Sequence, residues 1–591
     1  MDTLLQDLRY AARQLVRNRG FTIVAVLTLM LGIGACTAIF SIVDAVLLRP
    51  LPYPEAEKIV SLREVDAKSR QITFAEPNFL DVRARNHTLA AAAQYNMQLT
   101  TVLGGSEPVR TRVAYVSGDF FQTLGVQPAI GRSFLPAEAK AGGQPVAVVS
   151  QGYWQRLLGS RNDLAVTPLR LGDRSYTVVG VMPQSFNFPQ DAEIWLPIEI
   201  FPPSQSRTAH GRRVIARLRD GVTLAKARAE LSALGKQLKQ EHGATVDLVD
   251  IATLPLQEAL VGEVSQSLWV ILAAVGLLLL VACTNVANLL LAQATARQRE
   301  FAVRAALGAT RWRLARQFIA ENLLLALLAG GVGVLLSFGG VATLVALNQG
   351  NLPRADEISV NARALAFTLA LSSLVAVMLG WAPLLRFGGR DLQPGLKEAA
   401  RGQSANAASQ RLRATLVLTQ VALTLMLSLG AGLLIKSFIK VLEIDPGFRT
   451  LDQIFSSSLD KRRFSLVIFS SFAAVALLLA ALGIYGVTAY AVAQRTEELG
   501  IRLALGAQVS DVLRLVIGQG MKAVLLGIVI GLGGAFALTR LIAPLLFEVS
   551  ATDPLTFAVV ASLLIFVTLL ACYLPARRAT RVDPMEVLRC E

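Results

Sequence analysis

Bond-making chemistry has few footholds in this 591-residue chain. A P-loop needs Gly, four residues and Gly-Lys-Ser/Thr, so that backbone amides cradle phosphate; the one Gly-Lys pair, Gly235-Lys236, is followed by Gln237. His87, His210 and His242 stand apart and enter no His-Glu-x-x-His pattern, so structural histidines are expected and a metal site is not. No Gly-x-Ser-x-Gly elbow is present, which removes support for hydrolase chemistry. What does recur is an amphipathic pattern with paired charges. Glu300-Phe301-Ala302-Val303-Arg304, closed by Gly308-Ala309, returns as Glu498-Leu499-Gly500-Ile501-Arg502, closed by Gly506-Ala507. As short helices, 297–307 and 495–505 place Phe301, Arg304 and Ala305, or Leu499, Arg502 and Leu503, on one face, with Gly308 and Gly506 at the helix stop. Such a segment either connects membrane spans along the interface or offers an apolar anchor and two charges to a partner. Its reappearance favours the partner.

Those segments are positioned by long apolar runs. Hydrophobic residues make up 53% of the chain and charged residues only 17%, which excludes a disordered or wholly soluble protein. A span needs about 20 apolar residues, and runs of that length fall at 21–47, 266–294, 319–348, 364–385, 414–439, 464–493, 516–543 and 555–576. Segments 1–20, 295–318, 386–413, 494–515 and 577–591 hold 23 Lys and Arg, against 6 in 349–362, 440–463 and 544–554. The basic set is therefore expected in the cytoplasm, with both termini, and 48–265 outside. Most of the net charge of +15 lies in these separate basic segments, which fits topology and anionic lipid and excludes a nucleic-acid stripe. Cys36, Cys283 and Cys572 fall within spans and Cys590 near the C-terminus, so the external segment has no disulfide framework. Asp44, Glu321, Lys436, Lys522 and Arg540 are expected to snorkel from span ends, while Asn285 and Asn288 lie deeper and suit helix packing.

The chain is internally duplicated. Leu27 to Ala35 recurs as Leu423 to Ala431, an offset of 396 residues, and Glu300 to Ala309 recurs as Glu498 to Ala507, an offset of 198. Two four-span halves of like orientation follow, a parallel repeat in which residues 48–265 have no counterpart beyond the short stretch 440–463. Within 48–265, Val146 to Val149 and Tyr176 to Met182 suit strands and Leu224 to Gln240 suits a polar helix, giving a mixed α and β domain.

The Glu-apolar-Gly-apolar-Arg pattern ending in Gly-Ala resembles the cytoplasmic loop of FtsX/MacB-type permeases of ATP-binding-cassette systems. Glu498 to Arg502 with Gly506-Ala507 fits throughout, and the first copy departs by Ala302. The tail Pro575-Ala576-Arg577-Arg578-Ala579 with Asp583-Pro584 is similar as well. Val116 to Phe121, Leu124 to Val126, Gly131 to Phe134 and Tyr176 to Pro183 resemble the MacB-like periplasmic core domain. The fused double unit, preceded by a helix over Leu4 to Leu15, resembles the acidobacterial-type duplicated-permease branch, here lacking a second periplasmic domain. That helix places Leu4, Leu8, Ala11, Ala12 and Leu15 opposite Arg9 and Arg13, which suits the inner membrane surface.

The expected fold class is an α-helical membrane protein, eight transmembrane helices in a 4+4 parallel repeat, with one α+β periplasmic domain. Its expected domains are an amphipathic helix at 1–20, a span at 21–47, the periplasmic core domain at 48–265, and three spans at 266–385 with coupling loop 295–318. A cytoplasmic linker at 386–413 then leads to a second four-helix half at 414–576, with external loop 440–463 and coupling loop 494–515, and to a tail at 577–591. The resemblance implies a non-catalytic permease subunit in the bacterial cytoplasmic (inner) membrane that moves its periplasmic domain when a separate ABC ATPase closes. It implies Glu300, Phe301, Arg304, Gly308, Glu498, Leu499, Arg502 and Gly506 as the ATPase-coupling residues. No cofactor is expected in this chain, ATP and Mg being held by the ATPase. Expected partners are that ATPase, membrane lipid and a periplasmic adaptor or substrate, with a homodimer open and no nucleic acid. Two other readings are an FtsX-like regulator that controls a periplasmic partner without transport, and a decayed permease.

Overall fold

The computed structural model describes residues 2–103, 108–157, 164, 169–296, 311–347, 354–387, 406–443, 452–493, 502, 505, 508–543, 546 and 548–580. The chain divides into two compact units, Met1–Val46 with Val264–Glu591, and Leu47–Glu263.

The first unit is helical. Helices α1 (Asp2–Arg17) and α2 (Arg19–Val43) precede the second unit. Within that unit lie α3 (Glu76–Arg85), α4 (Phe120–Leu124), α5 (Gln151–Leu157) and α6 (Leu224–His242). α7 (Leu256–Ala296) starts before that unit ends, and after it come α8 (Arg311–Leu347), α9 (Ala362–Phe387), α10 (Asn406–Leu442), α11 (Asp452–Ala493), α12 (Val509–Ile542) and α13 (Pro554–Ala579). Among the described residues, eight helices are long and apolar enough to cross a membrane: Arg19–Leu48, Val264–Ala294, Arg316–Ala346, Ala362–Gly380, Gln410–Leu442, Ser465–Ala493, Val509–Arg540 and Pro554–Arg578. They correspond to the eight runs read from hydropathy.

The duplication is visible in the packing. α2 packs on α8 and α8 on α9; α10 packs on α12 and α12 on α13. Small residues permit the close crossings, as expected where lipid supplies no hydrophobic drive between helices. A Cβ on Gly34 would lie 2.9 Å from the Gly333 carbonyl oxygen in α8. A Cβ on Gly531 of α12, 198 residues beyond Gly333, would likewise lie 3.0 Å from the Ala422 Cα of α10. Short α1 packs on α8 and α2 with Ala11 fully buried and Arg9 and Arg13 exposed, so its inner face meets protein. Ala12, expected on the apolar face, is exposed.

Two charges expected to snorkel do something else. Asp44 is 1% exposed and accepts from Asn361 Nδ2 at 2.9 Å and Arg363 Nη1 at 3.4 Å, joining the end of the first span to the start of α9. Lys436 of α10 pairs with Asp553, the N-cap of α13, at 2.8 Å. The physical reason is proximity: a helix N-cap presents polar groups beside each charge, and a fixed partner replaces a long reach to water. Each half thus ties its first span to its fourth, with the polarity reversed.

The second unit is built on one mixed sheet. Its strands are β1 (Ile59–Asp66), β2 (Gln71–Ile72), β3 (Phe74–Ala75), β4 (Leu89–Leu103), β5 (Val109–Val116), β6 (Ile130–Gly131), β7 (Val146–Val149), β8 (Leu169–Leu171), β9 (Arg174–Val181), β10 (Ile194–Pro197), β11 (His210–Leu218) and β12 (Leu248–Pro255). The main order is β12-β1-β11-β4-β5-β10-β7-β9-β6, with β10 parallel to β5 and β7 parallel to β9. β4 is 15 residues long, and its two ends serve different neighbours: Leu89 to Tyr95 pairs with β11, and Tyr95 to Val102 with β5. One apolar cluster gathers around β1, β11, β12, α3 and α6, including Phe79, Leu231 and Leu238; another gathers around β5, β7, β9, β10 and α5, including Tyr153 and Leu196. Trp195, fully buried with Phe120, Phe121 and Phe188, centres a third. Gly131 shows why some positions admit only glycine: its φ is +79° and a Cβ would stand 2.3 Å from the Val179 carbonyl oxygen.

Candidate functional site

The candidate site is the pair of segments between the second and third spans of each half. In the first half α7 ends at Ala296 and α8 begins at Arg311. Glu300, Phe301, Arg304 and Gly308 fall between them, outside the described residues, as do Glu498, Leu499 and Gly506 in the second half. Arg502 is described: it is helical and exposed, and Leu505, inside the stretch expected to be helical, lies in a turn. Leu505, three residues on, is 83% exposed, and it lies outside the spans.

The element that follows is firmly started. Gln508 caps α12 in a reciprocal box with Asp511, which satisfies two otherwise orphan amides and places a negative charge at the positive end of the helix. α13 is tied to α11 by Arg578 Nη1, which donates to the Tyr485 hydroxyl at 2.9 Å.

Close to the ends of α7 and α11 lies a polar group that sequence reading only partly found. Asn285 and Asn288 of α7 are 3% and 5% exposed. Asn285 Oδ1 lies against Gly483 of α11, 3.0 Å from where a Cβ would be, and Gln420 of α10 donates to the Leu479 carbonyl at 2.8 Å. Arg413 of α10 donates through Nη2 to the Leu291 carbonyl at 3.1 Å, and its guanidinium stands 4.1 Å from the centre of the Tyr490 ring. Asn285, Asn288, Arg413 and Tyr490 border a cavity of about 30 Å3, also lined by Leu289, Gly486 and Val487. Arg413 was legible only as one of many basic residues in a linker. Its offset of 396 residues from Arg17, the offset of the first repeat, was the one signal that could have singled it out.

In the second unit the notable ionisable group surrounds Glu64, which is fully buried. Glu64 Oε1 accepts from the Ala75 amide at 3.0 Å and Asn78 Nδ2 at 2.9 Å, while Oε2 is 3.4 Å from His210 Nδ1. Burial pushes the Glu64 carboxyl up, against the opposing pull of the Asn78 and Ala75 hydrogen bonds. His210 Nδ1 also meets the Thr73 carbonyl at 2.9 Å, and Nε2 meets Asp247 at 3.3 Å. Among the described residues no group of three or more His, Cys, Asp or Glu is arranged to hold a metal.

Comparison with known proteins agrees with this architecture. Residues 22–234 match the MacB-like periplasmic core domain, and residues 272–392 and 470–584 match the FtsX-like permease C-terminal domain. The chain is 27% identical over 283 residues to the macrolide export ATP-binding/permease protein MacB of Hahella chejuensis, covering 46% of this chain and 41% of that protein. It is 26% identical over 394 residues to the probable syringafactin export ATP-binding/permease protein SyfD of Pseudomonas syringae pv. tomato, covering 62% and 55%. The chain thus spans about half the length of the curated relatives it matches. The periplasmic region of MacB from Actinobacillus actinomycetemcomitans is a structural neighbour at 13% identity and a TM-score of 0.28, covering 35% of this chain and 93% of that one.

Proposed function

The chain belongs to the MacB/FtsX-type ABC permeases, and from that premise we propose that it is the transmembrane subunit of an export system driven by a separate ABC ATPase. The observation that carries the proposal is the recurrence of the amphipathic pattern, with one copy inside each of the two FtsX-like matches. Two ATPase subunits closing on ATP and Mg would receive one segment each. Glu300, Arg304, Glu498 and Arg502 are the polar contacts, Phe301 and Leu499 the apolar anchors, and Gly308 and Gly506 the helix stops. The helical state and exposure of Arg502 support this use of the second segment.

Motion received there passes to the spans and then to residues 48–265, which act on a periplasmic adaptor or substrate. The reading places both termini in the cytoplasm and the protein in the bacterial inner membrane. The shared export wording in the names of MacB and SyfD supports efflux as the output. The test is co-purification of the tagged full chain with the host's ABC ATPases, comparing wild type with Glu300→Arg plus Glu498→Arg. Capture of one ATPase by the wild type, lost in the double variant at unchanged thermal stability, is expected. A well-folded wild type that captures none, or equal capture by the variant, overturns the assignment.

A further inference from the structure

The helices that lead into the two segments, α7 and α11, meet at one side chain. We propose that Arg413 is a positioning residue that clamps the ends of α7 and α11 together, so that the two coupling segments move as one body. The proposal rests on the reading of those segments as ATPase contacts. Arg413 approaches from α10, the helix that follows the linker between the halves. It reaches Leu291, just over a turn before α7 ends at Ala296, and Tyr490, one turn before α11 ends at Ala493. A guanidinium suits this double task because it is planar, donating from its edge while its cation faces a ring; an ammonium has no such plane.

The surroundings make the clamp necessary. Beyond Gly483, which Asn285 of α7 touches closely, the contact of α7 with α11 opens, since a Cβ on Gly486 would meet nothing within 4 Å and a cavity of about 30 Å3 lies beside it. Asn288 lines the same cavity at 5% exposure, and neither of its amide atoms has a hydrogen-bond partner among the described residues. Packing around a void and an unsatisfied amide holds two helices weakly. The repeat supplies the control within the molecule. Arg17, at the equivalent position of the first half, is exposed, because the helix breaks at Asn18 between α1 and α2, whereas α10 runs unbroken through Arg413. Among the described residues the clamp is a feature of the second half only.

The test places spin labels at Gln293 and Ala491 in the full chain, with its four cysteines replaced, in lipid nanodiscs without ATPase or nucleotide. Dipolar spectroscopy is expected to give one narrow distance distribution, which broadens towards longer distances in Arg413→Met and in Arg413→Lys. A second label pair at Thr343 and Leu365, within the first half, should keep its distance. An Arg413→Met distribution like that of wild type overturns the clamp. If the second pair also broadens, Tyr490→Leu decides: broadening of the 293 to 491 distance alone supports the clamp, and an unchanged distance overturns it. ATPase capture by the wild-type chain is scored separately, so an intact clamp with no capture removes the coupling reading, and capture with an unchanged distance removes the clamp.

Discussion

Glu64 illustrates how a single side chain can carry a pH dependence through a whole domain. Its fully buried carboxyl is pushed above the ordinary 4.5, so the folded state favours the protonated form and is penalised once the group ionises. The sign follows: this stability is fully present below about 4.5 and is lost as pH rises through the raised value. Glu64→Gln, which keeps an acceptor for the Ala75 and Asn78 donors, is expected to remove that loss. Hydrogen exchange of β1 amides, corrected for intrinsic rate, should fall in protection with rising pH in wild type and stay level in the variant. Equal slopes in the two proteins would refute the cause assigned here. Asp553 shows the opposite sign. Hydrogen bonds from Lys436 first, then Thr556, hold its carboxyl down to about 2, so its contribution is present above the ordinary range and lost only as pH falls towards that value. Neither environment was legible in the sequence, because each depends on partners distant in the chain. Asp44 and Lys436 read as charges near span ends, and only the fold set them beside Arg363 and Asp553.

Elements were far more legible than sites. Each span announces itself through local composition, and the repeat announces itself through identity, so the eight helices and their division into two halves could be read directly. The strands over Val146 to Val149 and Tyr176 to Val181 were equally local. The order of the sheet was not, since β10 joins β5 and β7 joins β9 in parallel across intervening elements. Helix crossings occupy a middle ground: glycines were visible, but which of them face a neighbour was not. Gly34 faces the α8 backbone, whereas Gly331 and Gly339 would place a Cβ in open space. Gly34→Val is therefore expected to cost about 1–3 kcal/mol by forcing α2 from α8, while Gly339→Ala should change stability by less than about 1 kcal/mol. The thermal transition of the detergent-solubilised chain measures both, and similar shifts for the two would contradict the crossing described.

For the whole molecule the decisive property is orientation. The proposed arrangement predicts that Leu135→Cys, at an exposed loop position of the second unit, reacts with a membrane-impermeant maleimide in intact cells. Gln6→Cys, exposed on α1, should react only after lysis. Both are read in a background without the native cysteines, and the reverse pattern would invert the topology. The two ion pairs that close the halves carry a consequence for biogenesis. The first half has its anion on span one and its cation on span four, and the second half has the reverse. During membrane insertion, span one of one half meeting span four of the other would set Asp44 against Asp553, or Lys436 against Arg363, and like charges at such sites repel. The reversed polarity therefore sets unlike charges together when each first span meets the fourth span of its own half, and like charges together in the crossed pairing.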